Sequence, residues 1–528
     1  MVWDERWWSF LDAIEEPESY SSLAACERVL DDWAKRGANV ETIGSSREER
    51  EIRCATIGSG KRGLLAWGFP HPDEPIGASS LIALGEGLLS GRLELPGWRV
   101  HLVLCADPDN VALNRWIGQG ATVQDFVGSC WRPASMGVEV DYGFALDHPP
   151  FFNSPDFEGR CRGPKECLAR CGGGPCKRRR LPFAPLPESL ALATALEQYR
   201  PCLVASMHSA LLGGDYTFLL QREGKATFDS LLAIPARCGQ MRHLGEALDR
   251  GRRWRQDAPD LIREQRFIET LRQLQRSGVY KPGYTYDDSH SAGNYIEVKL
   301  PGVQFVCPES CLFRHPDFAD TTPLAETEDV QISIEDRPAG RRRVTKAYIG
   351  GKWEIVQMSA SKESLSPARK ETIVPTRALL GVRAVYRRRM ILSRVDELWA
   401  SVAETPGLHE HPYLQERFGE DVPGRLSDGG AMRLFLTADR FHQTATKAQA
   451  ASFRWGWPLE TAGRIGNFLN FLNAQPETLN LQPISKELRR LQQEELACLP
   501  EEILQGTAIA PAIRSQLARL LTLAERQA

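Results

Sequence analysis

The sequence predicts an α/β protein, with a mixed and mostly parallel β-sheet flanked by helices and a helical region at its C-terminal end. Three observations lead to this fold class. Apolar runs of strand length alternate with runs of helix length between about residues 40 and 208. Polar side chains of metal-ligating types follow two of the strand-like runs, and the patterns beyond about residue 400 are helical.

The predicted elements follow one another in an order that suits such a sheet. Residues 18–36 have helical periodicity, with apolar side chains on one face, and Gly37 ends this helix. Beyond it, short apolar runs predict strands and longer runs predict helices. The predicted strands cover 40–43, 52–57, 64–67, 100–105 and a run that ends at His208, and the predicted helices cover 78–89, 187–198, 445–453, 465–472, 486–499 and 513–526.

The composition is that of an ordinary globular protein. Of 528 residues, 42% are hydrophobic and 25% are charged, and the formal net charge is −3. There is therefore no general basic charge to attract nucleic acid, and the short basic runs at 177–180, 341–343 and 387–389 are typical of solvated surfaces. The acidic N-terminus and the lack of a long apolar run favour a cytoplasmic protein without a membrane partner, and leave a homo-oligomer open.

His71, Glu74 and His208 are the best candidates for ligands of a catalytic metal ion. His71 and Glu74 form a His-x-x-Glu motif after the apolar run 64–67, and His208 follows another apolar run. Carboxyl ends of neighbouring strands meet at one edge of an open α/β sheet, so the three side chains are expected to converge. A single His-x-x-Glu is common, but with a second histidine it suits zinc, which in hydrolytic sites keeps a fourth position open for water.

The thirteen cysteines are expected to be reduced thiols or metal ligands, because their number is odd and no export signal precedes them. Four of them lie in an irregular segment at 146–186: Cys161, Cys167, Cys171 and Cys176. Four thiolates could close a tetrahedral structural zinc site and brace this segment. Their spacings of five, three and four residues differ from the paired two-residue spacing, so unligated thiols are an equal alternative.

Taken in order, these motifs resemble the zinc metallocarboxypeptidase family of the carboxypeptidase A type. The similar segments run from about Ile43 to about Phe313, roughly half of the chain. They are the segment 43–52, the His-x-x-Glu motif, the Asp-Pro-Asp-Asn turn at 107–110, and the unit from Pro187-Glu188 through Arg200-Pro201 to His208-Ser209. The resemblance implies a carboxypeptidase-like fold and one zinc ion held by His71, Glu74 and His208.

By the same resemblance, the general base is a glutamate on a later strand. Glu309 is preferred because it ends an apolar strand and lies 23 residues after Tyr286, which is similar to a mobile tyrosine of the family. Glu297, the other candidate, fits more simply as an outward residue of an alternating strand. Arg132 follows a tryptophan, as in the family's Trp-Arg pair, and is expected to stabilise an anionic tetrahedral intermediate. An ion pair on the surface is an equal alternative for Arg132.

The sequence departs from the family pattern at Asp141 and Tyr142. The segment 137–144 is similar to the family's Gly-Val-Asp-x-Asn-Arg-Asn-Phe, whose Asn-Arg grips the terminal carboxylate of the substrate. An aspartate repels such a carboxylate and gives it no bidentate partner. The substrate is therefore expected to offer a neutral or cationic group near Asp141, Tyr142 and Tyr286, unless another arginine grips it.

The expected function is zinc-dependent hydrolysis of an amide bond in a peptide or peptide-like substrate, with Glu309 as general base. A deacylase or amidase acting on a small-molecule or amide-capped substrate is one alternative. A carboxypeptidase-like binding module that has lost turnover is another. The expected domains are an N-terminal helical segment that packs on the core (1–40), a catalytic domain with the Cys-rich insertion (41–400) and a helical C-terminal region (401–528).

Overall fold

A computed structural model describes the larger part of the chain. The described residues are 5–118, 122–130, 140–144, 186–242, 253–255, 258–263, 291–322, 329–337, 342–349, 352–360, 369–375, 391, 394–395, 397–398, 401, 447–451, 455, 457–473, 481–504 and 508–527.

Within these residues, one large mixed sheet forms the centre of the molecule. Strands β1 to β10 span Asn39–Ser45, Glu51–Ile57, Arg62–Trp67, Trp98–Val103, Leu203–Ser206, His208–Leu212, Tyr216–Leu219, Arg253–Arg255, Ala258–Arg263 and Gln304–Phe313. Their order is β1-β2-β4-β3-β5-β10-β7-β9-β8, and β6 pairs with β10 beyond β5. The central strands β4, β3, β5 and β10 are parallel, whereas β1, β2, β7 and β8 form antiparallel pairs.

Helices cover both faces of this sheet. Helices α1 to α13 span Glu5–Asp12, Leu23–Lys35, Ile76–Leu89, Pro108–Val111, Val123–Ser129, Pro187–Tyr199, Lys225–Arg237, Ala292–Lys299, Lys447–Ala451, Trp457–Asn473, Gln482–Leu496, Glu501–Leu504 and Ile509–Arg526. Successive side chains of a strand point to opposite faces. Accordingly, Leu64 and Ala66 of β3 join the core beneath α1, α2, α3, α7 and α13. Leu65 and Trp67 join the core beneath α6 and α8.

The central strands are mostly apolar because both of their faces are covered. Every residue of β10 is buried, and so is every residue of β5. Continuous apolar runs are typical of strands buried on both faces of a parallel sheet. A carboxylate on such a strand, as Glu309 is on β10, needs polar partners at the sheet edge.

The C-terminal helix α13 is an integral part of the core. It packs against α3, α7 and β10, and most of its side chains are buried. Its packing face includes Ile513, Leu517 and Leu520, whose spacing of three and four residues is that of one helix face. The last described helix of the chain therefore lies directly against the strand that carries Glu309.

A second, smaller sheet was not predicted from the sequence. Strands β11 to β14 span Asp329–Arg337, Arg342–Ile349, Lys352–Ala360 and Arg369–Pro375. They are antiparallel and form a sheet in the order β13-β12-β11-β14. The alternation of Val330, Ile332 and Ile334 in β11 is nevertheless a strand signal present in the sequence.

The structure confirms the α/β fold class, a mixed sheet flanked by helices with further helices in the C-terminal region. The predicted strands and helices up to residue 208 are present, with ends that differ by a few residues. In the part of the chain that the structure describes, none of the helices combines the length and the apolar composition needed to cross a bilayer.

Candidate metal centre

His71 and Glu74 lie in the sharp connection between β3 and α3. The backbone turns soon after β3, where the buried Phe69 has a φ of 51°, a left-handed conformation that is uncommon outside glycine. The Glu74 amide then donates a hydrogen bond to the His71 carbonyl at 3.1 Å. This turn holds both side chains at the carboxyl end of β3, where they are only 4% and 5% exposed.

Gly77, in the first turn of α3, lets this helix approach the segment that carries His208. A Cβ atom at this position would lie 2.2 Å from the carbonyl oxygen of Met207, so a larger residue would force the two segments apart. The Met207 amide also donates to the Trp67 carbonyl at 3.0 Å. The two halves of the predicted ligand set are thus held together by backbone contacts.

His208 is the first residue of a new short strand, which corrects the prediction that a strand ends there. β5 ends at Ser206, and β6 begins at His208 and continues beside β10. The strand resumes because β10 is ten residues long and extends beyond β5. In the parallel register of β6 and β10, His208 is paired with Glu309, so the predicted ligand and the predicted base are neighbours across the sheet.

The ligand atoms of His71, Glu74 and His208 all lie within 4.8 Å of one another. Glu74 Oε2 lies 2.9 Å from His208 Nδ1 and accepts a hydrogen bond from the Ser209 amide at 3.0 Å. The ring centroids of the two histidines are 4.9 Å apart. Zinc bonds of about 2.0–2.2 Å hold neighbouring donor atoms roughly 3.5 Å apart. Two imidazoles and a carboxylate at these separations therefore suit one divalent metal ion of the zinc type.

Glu309 lies beside this cluster. Its Oε1 atom is 3.9 Å from His208 Nδ1, and its side chain is largely buried. Cys307, two residues earlier on β10, projects to the same face of the strand, and its thiol lies 3.9 Å from Glu309 Oε1. The cluster and Glu309 therefore form one group of buried polar side chains.

Negative charge dominates the electrostatics of this group of side chains. Burial lowers the pKa of His208, but Cys307, Glu74 and Glu309 together raise that pKa well above its ordinary value. Burial raises the pKa of Tyr216, and the neighbouring Glu309, Cys307 and Glu74 raise it further. Both shifts have the sign expected where carboxylates are crowded in a poorly hydrated site. A divalent cation would neutralise this charge.

Ser206 and Asp141 contact the other nitrogen of the His208 ring. Ser206 Oγ lies 2.9 Å from Nε2, and Asp141 Oδ2 lies 3.6 Å from it. Ser206 also donates to Asp141 Oδ1 at 3.3 Å. Histidines that ligate metals commonly use their second nitrogen to bond a carboxylate, a carbonyl or water, which fixes the ring orientation and the tautomer. This arrangement leaves Nδ1 directed at Glu74.

Ser206, His208 and Glu74 also line up as hydroxyl, imidazole and carboxylate, the order found in serine hydrolases. A nucleophile must reach a substrate carbonyl, however, and Ser206 is 0% exposed. Its hydroxyl is already engaged by Asp141. The alignment therefore suits orientation of the imidazole better than nucleophilic attack.

Several residues singled out from the sequence fall outside the described residues. They are Arg132, Tyr286 and the four clustered cysteines, Cys161, Cys167, Cys171 and Cys176. The backbone of Tyr142 is described, in a 3₁₀ turn with Asp141, but its side chain is not. The roles predicted for these residues stay predictions.

The structure corrects the context of Glu297 and adds residues that sequence reasoning missed. Glu297 lies on helix α8, not on an alternating strand; the segment 292–299 is short, and its β-branched residues misled the assignment. Ser206 and Cys307 were missed, although each lies two residues before a predicted site residue on an extended segment. A search for polar side chains at that two-residue spacing would have found both.

Comparisons with known proteins give matches among solved structures alone: no family model and no curated protein matches the chain. A metallo-carboxypeptidase from Burkholderia cenocepacia is 14% identical with a TM-score of 0.30, and the match covers 55% of this chain and 59% of that one. A carboxypeptidase A from Helicoverpa armigera is 15% identical with a TM-score of 0.32, over 58% of this chain and 70% of that one.

Bovine thrombin-activatable fibrinolysis inhibitor, solved in complex with tick carboxypeptidase inhibitor, is 13% identical with a TM-score of 0.29, over 56% of this chain and 86% of that one. Metallopeptidases and carboxypeptidases are among the matched solved structures. This is the class of protein that the sequence motifs resemble. At TM-scores this low the likeness carries no argument about activity.

Proposed function

We propose that the chain is a zinc-dependent hydrolase that cleaves an amide bond of a peptide or peptide-like substrate. The observation that carries this proposal is the position of Glu309 beside the cluster of His71, Glu74 and His208. Three donor groups leave a coordination position open, as catalytic zinc sites require. A buried carboxylate next to that position can act as a general base.

The four side chains have two separate roles, metal binding and proton transfer. His71, Glu74 and His208 would hold the ion, which when bound acts as a Lewis acid that lowers the pKa of water and polarises the scissile carbonyl. A Glu309 carboxylate oxygen takes the proton of the attacking water and then delivers it to the leaving amine. Burial of Glu309 limits competition from bulk water for that proton.

The remaining roles come from the sequence. Arg132 is proposed to donate charge-assisted hydrogen bonds to the oxyanion of the tetrahedral intermediate. Tyr142 and Tyr286 are proposed to contact the substrate. Asp141, also predicted to contact substrate, is proposed to orient His208 as well, because both of its carboxylate oxygens face Ser206 and His208.

Changing Glu309 to Gln tests the function directly. The amide keeps the size of the side chain and cannot accept the proton, so amide hydrolysis should fall about 10²–10⁴-fold. Zinc content, measured by mass spectrometry, should stay unchanged because Glu309 is not among the three proposed ligands. The assay compares turnover of an amide substrate by the zinc-loaded wild type and the variant.

Glu297→Gln is the matched control, since Glu297 is a glutamate on α8 and was the other candidate for the base. This variant should keep wild-type turnover. Equal loss in both variants, or an unaffected Glu309→Gln enzyme, would contradict the assignment of the base. A zinc-loaded wild type that turns over no amide substrate would instead favour the binding module.

A further inference from the structure

A second group of donor atoms overlaps the proposed zinc site. His208, Cys307 and Glu309 are all buried, and their ligand atoms lie within 4.8 Å of one another. Cys307 and Glu309 belong to the same face of β10, and His208 is the register partner of Glu309 on β6. The backbone pairing of two central strands therefore presents an imidazole, a thiol and a carboxylate to one point.

The two groups share a single nitrogen atom. His208 Nδ1 lies 2.9 Å from Glu74 Oε2 on one side and 3.9 Å from Glu309 Oε1 on the other. Its Nε2 atom is occupied by Ser206 and Asp141. One ring nitrogen has one lone pair for a metal, so an ion bound with Glu309 and Cys307 excludes an ion bound with His71 and Glu74.

The two positions differ in chemical softness. The first offers two imidazole nitrogens and a carboxylate, whereas the second replaces one imidazole with a thiol. Thiolate ligands favour soft metal ions over hard ones, and the type of donor atom is one of the means by which sites discriminate among metals. The ion that gains most from Cys307 is therefore cadmium or a metal of similar softness.

We propose that His208, Cys307 and Glu309 form an alternative metal position that takes a thiophilic divalent ion such as cadmium. On binding, the sulfur–metal bond replaces the S–H bond of Cys307, and the released proton passes to solvent. Glu309 becomes a ligand in this state, and its carboxylate is no longer free to accept a proton. The loss of amide hydrolysis that this would cause rests on the proposed function, whereas the binding of the ion itself does not.

Titration of the metal-free protein with cadmium chloride tests the proposal. Bonding of cadmium to a thiolate produces an ultraviolet charge-transfer band, which is read at saturation in the wild type and in Cys307→Ser. The expected result is a band in the wild type that loses one thiolate's intensity in the variant. Signal from cysteines elsewhere in the chain is common to both proteins and cancels in the difference.

Cys311→Ser is the matched control. Cys311 is a buried thiol on the same strand, but it neighbours Asp215 and Arg519 instead of His208, so its loss should leave the band unchanged. Glu309→Gln keeps Cys307 and should retain the band while binding cadmium more weakly. That second variant keeps the test decisive if Cys307→Ser does not fold.

A band of equal intensity in the wild type and Cys307→Ser would overturn the proposal. So would a band in Glu309→Gln that forms with undiminished cadmium affinity. Failure here and failure of the proposed function are distinguishable: a zinc-loaded enzyme that hydrolyses amides but shows no cadmium–Cys307 band refutes this inference alone. A protein with the band but no zinc-dependent hydrolysis refutes the function alone.

Discussion

The two nitrogens of the His208 ring have different surroundings, and this difference fixes the orientation of the ring. Nδ1 faces the carboxylates of Glu74 and Glu309, and Nε2 faces Ser206 and Asp141. A ring bonded in this way at Nε2 cannot rotate without losing its contacts. The ring orientation that a metal needs at Nδ1 is thus set before any ion binds.

Replacing Ser206 with Ala removes one of the two contacts that orient this ring. Loss of such an outer contact is expected to lower zinc affinity or turnover by about 10–100-fold. The measurement is zinc affinity by competition with a chelator, together with turnover of the zinc-saturated variant. If Ser206 were instead a nucleophile, saturation with zinc would restore nothing and turnover would vanish.

Ser79→Ala provides the control for this experiment. Ser79 is also a buried serine, but its hydroxyl bonds to Ser21 and not to the imidazole. It should leave zinc affinity unchanged. Equal effects of the two substitutions would show that loss of a buried hydroxyl, not loss of ring orientation, is responsible.

The pairing of β2 with β4 buries a histidine that has no metal-binding partners among the described residues. His101 on β4 is opposite Thr56 on β2, whose Oγ1 atom lies 2.8 Å from its Nδ1. Its ring stacks on Tyr199 with centroids 3.9 Å apart. Burial, and then the charge of Arg99, lower the pKa of His101 to about 4. The strand pair therefore holds this imidazole neutral.

The stability of the protein should depend on pH through His101. Because the folded-state pKa is about 4 and the ordinary value is 6.5, the unfolded chain takes up the proton first as the pH falls. The free energy of unfolding should therefore decrease between pH 6.5 and pH 4, by at most about 3 kcal/mol from this group. His101→Phe keeps a ring against Tyr199 and should remove this component, as measured by urea unfolding across that range.

Thr56→Val separates the titration from the hydrogen bond. This variant loses the hydroxyl but keeps the imidazole, so the slope of stability with pH should remain. If His101→Phe and the wild type lost stability in parallel on acidification, the burial of a neutral His101 would not be a source of acid sensitivity.

The molecule as a whole depends on α13, which joins the end of the chain to the site. The side-chain amide of Gln516 on this helix donates to the backbone carbonyl of His208. The hydroxyl of Ser80 on α3 in turn donates to the side-chain oxygen of Gln516 at 2.9 Å. Arg519 lies 3.2 Å from Asp215 Oδ2 and 3.4 Å from the Glu309 carbonyl. A helix that begins more than 300 residues after His208 in sequence thus holds the strands that carry the proposed ligand and base.

Arg519→Met should destabilise the fold by about 3–5 kcal/mol. Arg519 and Asp215 are almost completely buried, and removing one member of such a pair leaves the other charge without compensation. Urea unfolding of the variant measures the loss. Turnover should fall as well, because the Glu309 carbonyl loses a donor.

Two further variants identify the cause. Adding Asp215→Asn to Arg519→Met removes the uncompensated charge and should recover about half of the lost stability. Arg526→Met, at the exposed end of the same helix, should cost less than about 0.5 kcal/mol. No recovery in the double variant would show that packing of the arginine stem, and not its charge, stabilises the helix.

Local patterns were sufficient to predict much of this architecture. The runs at 52–57 and 64–67 are strands and the run at 78–89 is a helix, as predicted. Burial of one face of a strand or helix leaves an apolar periodicity that can be seen in a short stretch of sequence. The convergence of His71, Glu74 and His208 also followed from local context. Each residue follows an apolar strand, and parallel strands end at one edge of a sheet.

Other features depend on contacts between segments far apart in the chain. The pairing of His208 with Glu309 comes from the register of β6 on β10, and the contact of Gln516 with His208 comes from the docking of α13. Neither leaves a periodic signal, because strand register and helix docking are set by the fit of distant surfaces. Strand ends and apolar periodicity depend on residues that are close together in the sequence. The partners of Nδ1 and Nε2 of His208 are known only once the sheet and its covering helices have packed.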